Sequence, residues 1–491
     1  MSGKRAFTDV LGLLKGTEKQ HVKAKHVVVI GGGIGGLCAA RVLSDHFERV
    51  TLVERDDLPE GATHRKGVPQ SRHPHGLLDR GRRELGILFP GLDDSLHERG
   101  GLDLDGGLEL ATLTPDGWAT RRRTGHQMLF ASRLLIESVI RDRVKQNPRI
   151  KILERTEASS LLFAGGETPR VTGIEARNLS DGSTIHLEGD LVVDCSGRSS
   201  RASEWLTSLG YPEVELEVVD AQAGYSTCWY QMPPANQRPS HWWWKGVFLN
   251  PSTKPTREED YYVALILPIE GDRFLLTLAS WGGRVLPTDQ ESFAALCGRL
   301  RSPIVAEALA ISKPISAIFH RKGMQNIWRH YEKGSGPAGF VAMADAVCAF
   351  NPVYAQGMTS AAVCSRILGT LVGEMDPADP NFPAMFFQRQ AEFVRQPWGL
   401  SVARDRQALG QSDGSEGAMG GEAWERVLRE GAGVPVIAEA LFNVINLNRP
   451  PESLMTDSEF LAAVNEIMQR PPKPPIDAAQ VTPYPPAEIA N

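Results

Sequence analysis

The chain has no apolar run of about 20 residues, so nothing in it predicts a membrane-spanning helix. Paired cysteines are missing too. The six that occur, at 38, 195, 228, 297, 348 and 364, stand singly without a C-x-x-C spacing, which predicts reduced thiols packed as small hydrophobes. His73-Pro74-His75 is the nearest approach to a metal-ligand cluster and lacks a partner motif, so no metal site is expected. Basic runs are scarce: Arg121-Arg122-Arg123 stands alone and reads as a solvated turn, and a net charge of −6 speaks against a nucleic-acid partner. No internal repeat is present. The start carries no secretory signal, because Asp9 and Lys15 interrupt a short apolar stretch with no cleavage site after it, and the expected compartment is the cytoplasm. Phe7, Val10, Leu11 and Leu14 nevertheless share one helical face. Residues 7–14 are therefore the one expected place for a membrane-surface contact, the alternative use of that face being docking onto the protein itself.

What the sequence does have is concentrated in residues 26–54. His26-Val27-Val28-Val29-Ile30 is a β-branched run that feeds into Gly31-Gly32-Gly33-Ile34-Gly35-Gly36, a G-x-G-x-x-G turn opening a helix. In this pattern the first glycine permits the turn, the second lets backbone N–H groups approach a pyrophosphate, and the third lets the helix pack on the sheet. The helix start favours a dianion. A second strand, Val50-Thr51-Leu52-Val53, ends at Glu54, where an acid grips ribose hydroxyls and rejects a 2′-phosphate. The expected dinucleotide is FAD or NAD rather than NADP.

With 491 residues, 42% of them hydrophobic, the chain suits two or three domains. After the fingerprint unit comes a polar loop, residues 64–75, and a helix is expected from Ser132 to Val144. From about 216 the texture becomes β-rich and aromatic, with strands expected around 224–230, 261–267 and 274–278. Gly339 to Asp345 reads as another buried strand ending in an acid, followed by Asn351-Pro352 and a helix from about Thr359 to Gly373. Residues 380–470 read as helical. The Pro-rich 471–491 stretch is expected to lack fixed structure.

The glycine fingerprint with Glu54, the Arg133 helix, the stretch from Asp194 to Arg201 and Ala344-Asp345 through Gly357-Met358 together resemble the flavoprotein monooxygenase family that includes para-hydroxybenzoate hydroxylase and squalene epoxidase. Arg65-Lys66-Gly67-Val68-Pro69-Gln70, Arg72-His73 and Asn351-Pro352 are most similar to the bacterial polyene epoxidases of polyether biosynthesis. The resemblance implies an α/β fold: a Rossmann-like FAD-binding domain interleaved with a β-sheet substrate domain, plus a C-terminal helical region. Its expected divisions are an N-terminal extension (1–25), the first part of the FAD-binding domain (26–215), the substrate domain (216–337), the last part of the FAD-binding domain (338–379), the helical region (380–470) and the tail (471–491). It implies FAD contacts at Gly31, Gly33, Ile34, Gly35, Gly36, Glu54, Arg55, Lys66, Arg133, Asp345, Pro352, Gly357 and Met358. Glu54 would hold the adenosine ribose, Arg133 would lie near the phosphates, and Asp345 would bind the ribityl or pyrophosphate portion. The helix start at Gly357-Met358 would face the pyrimidine edge of the flavin, where negative charge develops on reduction.

The activity implied is that of an FAD-dependent monooxygenase, in which a flavin C4a-hydroperoxide epoxidises or hydroxylates an apolar, alkene-containing small molecule of secondary metabolism. O₂ is the co-substrate, and no catalytic side chain is expected beyond the flavin. Trp229, Trp243, Phe248, Tyr261 and Trp281 are the candidate substrate contacts, against the alternative that such residues fill the core. Departures from the family accompany the matches. Ala344 and Ala355 stand where glycine is usual, and Ser196 stands where many aromatic hydroxylases have an aspartate that touches both cofactors. A second G-x-G-x-x-G is absent, which excludes a separate nicotinamide domain. Electrons are expected from NAD(P)H, directly or through a separate flavin reductase. Aromatic hydroxylation, isoprenoid double-bond reduction and a prenyl-binding escort role are the alternatives on this fold; the Trp-x-Trp-x-Ile-Pro signature of flavin halogenases is absent, since Trp242-Trp243-Trp244-Lys245 does not match it.

Overall fold

The computed structural model describes residues 25–167, 169–252, 255–334, 336–411, 421–431, 433–472 and 482–490. Residues 7–14, with their apolar face, lie outside these. His26–Ile30 is buried along its whole length, as are Leu191–Asp194 and Phe340–Ala342, the composition demanded of parallel strands covered on both faces. Five parallel strands run in the spatial order Phe340–Ala342, Leu191–Asp194, His26–Ile30, Arg49–Val53, Ile150–Leu153. Ile30 pairs with Asp194 on one side and Val53 on the other, and Asp194 pairs with Ala342. The carboxyl ends of these strands therefore stop at one level, which is where open α/β sheets take ligands.

Two helices leave that edge and pack together, Ile34–Leu43 and Gly357–Glu374. Their close approach depends on Gly369, where a Cβ would sit 2.2 Å from a methyl of Val42. A third helix, Arg133–Lys145, starts at Ser132, whose hydroxyl accepts the Leu135 N–H at 3.1 Å.

The second large sheet is built around Gly224–Gln231, Arg273–Ser280, Val263–Ile269 and Gly246–Leu249, paired antiparallel in that order. It also takes in Leu110–Thr114 and Gly117–Trp118, from a stretch expected to lie wholly in the first part of the FAD-binding domain. Ala111 and Leu113 alternate inward on that strand, and their apolar face is buried only by joining Gly246–Leu249 in parallel. Leu216–Val219 and Asn326–Arg329, near the expected limits of the substrate domain, pair in a separate small sheet with Cys348–Ala349. The sheets thus do not divide at 216 and 337.

The helix Phe382–Ala408 packs on the parallel-sheet unit, while Val427, Ile437, Phe460 and Val464 form a small core of their own among the later helices. The tail departs from expectation over 482–490. Arg121 donates to the Ala487 carbonyl at 2.7 Å, Trp118 Nε1 to that of Thr482 at 2.8 Å, and Ser302 Oγ to that of Pro483 at 2.5 Å. Side-chain donors on an outer strand of the sheet (Trp118) and in loops beside it (Arg121, Ser302) satisfy carbonyls that a proline-rich segment cannot pair within itself. Arg121 is accordingly a clamp rather than part of a solvated turn, and its guanidinium also lies 4.1 Å from the Trp243 ring centroid. Among the described residues no helix is long and apolar enough to cross a membrane, and no group of three or more side chains is arranged to hold a metal. The six cysteines are buried and unpaired.

Candidate functional site

Gly31 leaves the first strand at φ +99°, and a Cβ there would lie 2.5 Å from the Cys195 carbonyl oxygen. A Cβ on Gly36 would come within 1.7 Å of the Gly31 oxygen, so the helix can begin directly over the turn only with glycine at both places. At Gly33 the situation is reversed, for a Cβ would meet nothing within 4 Å. The helix start opens into a cleft of ≈ 570 Å³ at the carboxyl edge of the parallel sheet. Of the expected cofactor contacts all but Gly36 line this cleft. Gly36 lies beneath the turn, and its part is to let the turn close.

Glu54 is buried beside the first turn. Its Oε2 accepts the Gly32 N–H at 2.7 Å and lies 3.2 Å from Arg65, while Oε1 accepts the Asp56 N–H at 2.9 Å. A carboxylate has about four acceptor positions, so one remains for a hydroxyl. Arg65 is the hub here: it also pairs with Asp56 at 3.0 Å and Glu137 at 2.9 Å, and it donates to the Gly32 carbonyl. Arg133 reaches Glu137 at 2.8 Å. Burial opposes ionisation of Glu137, but Arg133 and Arg65 outweigh it and hold its carboxyl below the usual range. Removing one partner of such a buried set leaves an uncompensated charge. Neither Arg65 nor Glu137 was among the expected site residues. Arg65 opens the Arg65–Gln70 motif, whereas no local signal marks Glu137, which is ordinary helix composition.

The second turn supplies Asp345. It lines the cleft and, among the described residues, has no hydrogen-bond donor; burial raises its pKa against the opposing pull of Arg198 and Arg133. Arg198 is fixed by the Gln325 and Phe350 carbonyls at 2.6 and 2.7 Å. Ser196, in the place of the family's aspartate, also lines the cleft, with its N–H donated to Asp194. Ala344 and Ala355 take φ +54° and +56°, the left-handed region in which glycine is at ease. An acid with one free acceptor position, an open helix start, an unpaired carboxylate and a second helix start at Gly357 fit FAD, which offers ribose hydroxyls, a pyrophosphate, ribityl hydroxyls and a ring that becomes anionic.

The cleft is also lined by Tyr225, Arg321, Met324, Phe350 and the loop carrying His73. Tyr225 and Arg321 are register partners on adjacent strands. His73 is buried, with its Nδ1 2.8 Å from Thr227 Oγ1 and its ring edge-on to Tyr225 at 4.5 Å. Burial, helped by neighbouring His75, Arg321 and Arg72, pushes the His73 pKa down to about 3, so the ring is neutral at pH 7. Burial likewise raises the Tyr225 hydroxyl to about 12. Lys66, Gln70 and His75 line the cleft, whereas His64 turns to Ser71 and Trp229.

The five aromatic candidates for substrate contact do not line it. Trp229 lies under the 64–75 loop and donates to the Arg72 carbonyl at 3.0 Å. Trp243 carries Arg121, and exposed Tyr261 carries Arg284 at 3.7 Å. Phe248 packs in the cluster that holds Trp281, whose Nε1 donates to Asp405 at 3.0 Å. Each has a structural partner elsewhere, which is the physical reason none is free for the cleft.

Residues 26–143 match the family described as FAD dependent oxidoreductase. Protein Rv3254 of Mycobacterium tuberculosis is 32% identical over 346 residues, spanning 68% of this chain and 70% of that protein. Among solved structures, the flavin-dependent brominase Bmp2 superposes with a TM-score of 0.63 at 12% identity, over 91% of this chain and 100% of its own. PqsL, a probable FAD-dependent monooxygenase from Pseudomonas aeruginosa, gives 0.55 at 18% identity over 79% and 99%. The 2-methyl-3-hydroxypyridine-5-carboxylic acid oxygenase gives 0.55 at 17% over 80% and 94%. At these identities the structural likeness is one of fold.

Proposed function

The chain, which shares 32% identity with Protein Rv3254, belongs to the FAD-dependent oxidoreductases and carries the fold of their monooxygenases; from that premise we propose that it transfers one atom of O₂ to an apolar, alkene-containing small molecule, by epoxidation or hydroxylation. The observation that carries this reading is a single cleft lined by both helix starts and by Tyr225 and Arg321 of the substrate sheet. Bound FAD supplies the redox chemistry, activating O₂ once reduced. The protein's own residues bind and orient. Glu54, the Gly33 helix start and Asp345 hold the cofactor along its length, and Met324, Phe350 and Pro352 give the reaction end an apolar wall that excludes water.

Neutral His73 and Tyr225 can exchange hydrogen bonds with substrate but cannot supply charge at pH 7. Together with Arg321 they favour a substrate bearing a hydroxyl or acidic head group on its apolar body, which keeps aromatic hydroxylation as the second reading. For electron supply we favour NAD(P)H acting transiently or through a reductase, since only one dinucleotide fingerprint exists and Ser196 replaces the aspartate. Anaerobic mixing with NADPH in the absence of substrate should then bleach the flavin slowly, and rapid bleaching by NADPH alone, with or without substrate, would reject the reductase route. The test of the activity itself is to photoreduce the holoprotein anaerobically, admit O₂ with candidate polyenes and phenols, and look by mass spectrometry for products gaining one oxygen. Peroxide without any oxygenated product across both panels would overturn the monooxygenase reading.

A further inference from the structure

We infer that Asp405, on the helix Phe382–Ala408, is a positioning residue for the cofactor turn at 351–354. The inference rests on reading the cleft as an FAD site. Asp405 is fully buried. Its Oδ1 accepts from Trp281 Nε1 at 3.0 Å, Tyr354 OH at 2.6 Å and Asn351 Nδ2 at 3.0 Å, and its Oδ2 accepts from Asn326 Nδ2 at 2.6 Å. No arginine or lysine pairs with it among the described residues. A buried carboxylate without a cation is costly unless its lone pairs are filled, and here four neutral donors fill them with charge-assisted hydrogen bonds.

The donors come from separate places in the fold. Trp281 follows the substrate-sheet strand Arg273–Ser280, Asn326 opens Asn326–Arg329, and Asn351 and Tyr354 bracket Pro352, which lines the cleft. Both ends of the turn thus hang on one carboxylate. The Asn351 N–H is further held by Asn326 Oδ1 at 2.7 Å, and Ser401 on the Asp405 helix donates to that same oxygen at 2.6 Å. Directly after the turn come Ala355 at φ +56° and the helix that starts at Gly357. A non-glycine residue holds that backbone only where its surroundings over-determine it. Asp405 provides this from outside both halves of the dinucleotide-binding unit. An asparagine in its place would aim its N–H₂ either at Asn326 Nδ2 or at Trp281 Nε1 and Asn351 Nδ2, none of which has a lone pair to offer.

The test is Asp405→Asn in the full chain, compared with Tyr354→Phe, which removes a donor on the turn, and Trp281→Phe, which removes one on the sheet. The FAD dissociation constant and the reduction potential of the bound flavin are read beside circular dichroism. Asp405→Asn should weaken FAD binding tenfold or more and shift the potential; Tyr354→Phe should act in the same direction to a smaller extent, and Trp281→Phe less again. Should Asp405→Asn fail to fold, the Tyr354→Phe and Trp281→Phe pair decides. Folded variants with parental affinity and potential, or a Trp281→Phe effect equal to that of Tyr354→Phe, would overturn the inference. A parental protein that takes up no FAD would remove the cofactor reading and this inference with it.

Discussion

Two strand-to-helix turns face the same cleft and are built in opposite ways. The first, Gly31 to Gly36, meets its steric demands with its own residues, glycine standing wherever a Cβ would strike backbone. The second, 343–357, puts alanine at both of its left-handed positions and relies on distant groups to hold them: Asp405, Asn326 and Arg198. One turn is encoded locally; the other is imposed by tertiary structure.

The hardest way to break this contrast is at Gly36. Alanine there would force the helix off the turn, and a loss of about 3 kcal/mol in stability is expected, together with failure to retain flavin. Denaturant unfolding and acid release of FAD measure both. Asp345→Ala comes next: it leaves the fold intact and removes an acceptor, so FAD affinity measured by calorimetry should fall by about 1–3 kcal/mol. Glu54→Gln should cost less, on the order of 1 kcal/mol of affinity, because the amide keeps one acceptor for Gly32 or ribose while weakening the pairing with Arg65. An equal or larger loss at Glu54 would mean that the first turn, too, depends on its distant partners. Smallest is Ala355→Gly. Relief of roughly 1 kcal/mol of left-handed strain is offset by about 0.4–1 kcal/mol of extra unfolded-state entropy, giving a net change within about 0.5 kcal/mol by denaturant unfolding. A clear destabilisation would show that the methyl group, close to Gly76, contributes packing that the backbone argument omits.

The same contrast explains what could be seen in the sequence. Glycine spacing, a β-branched strand before it and an acid after it are short-range signals, and they mark the first turn and Glu54 without help. Asp345 reads locally as an acid ending a buried strand, but its cofactor role, like that of Gly357, comes only through a family resemblance. Asp405, Arg65 and Glu137 depend on which segments meet in space, and no window of the chain carries that information. The aromatic residues show a related limit. Tyr225, Thr227 and Trp229 share one face of their strand by the two-residue period, yet loop residues cover Thr227 through His73 and Trp229 through Arg72, leaving Tyr225 at the cleft. Hydrophobic pattern identifies the face and is silent about what lies over it. The anchoring of the tail carbonyls was equally illegible, because their donors, Trp118, Arg121 and Ser302, stand far away in the chain.

The spatial order of the parallel sheet has a temporal consequence. Its first strand, His26–Ile30, is central, but the edge strand Phe340–Ala342 and the helix that packs against Ile34–Leu43 come from much later in the chain. On a ribosome the glycine turn emerges early and must wait, with one side of its sheet unfinished and its helix covered only on the flank that meets Arg133–Lys145, while the whole substrate sheet is synthesised and folds. Cofactor loading is thereby a late event in the life of the nascent chain, and the apolar flank that the late helix will cover is the surface a chaperone would have to shield in the interval.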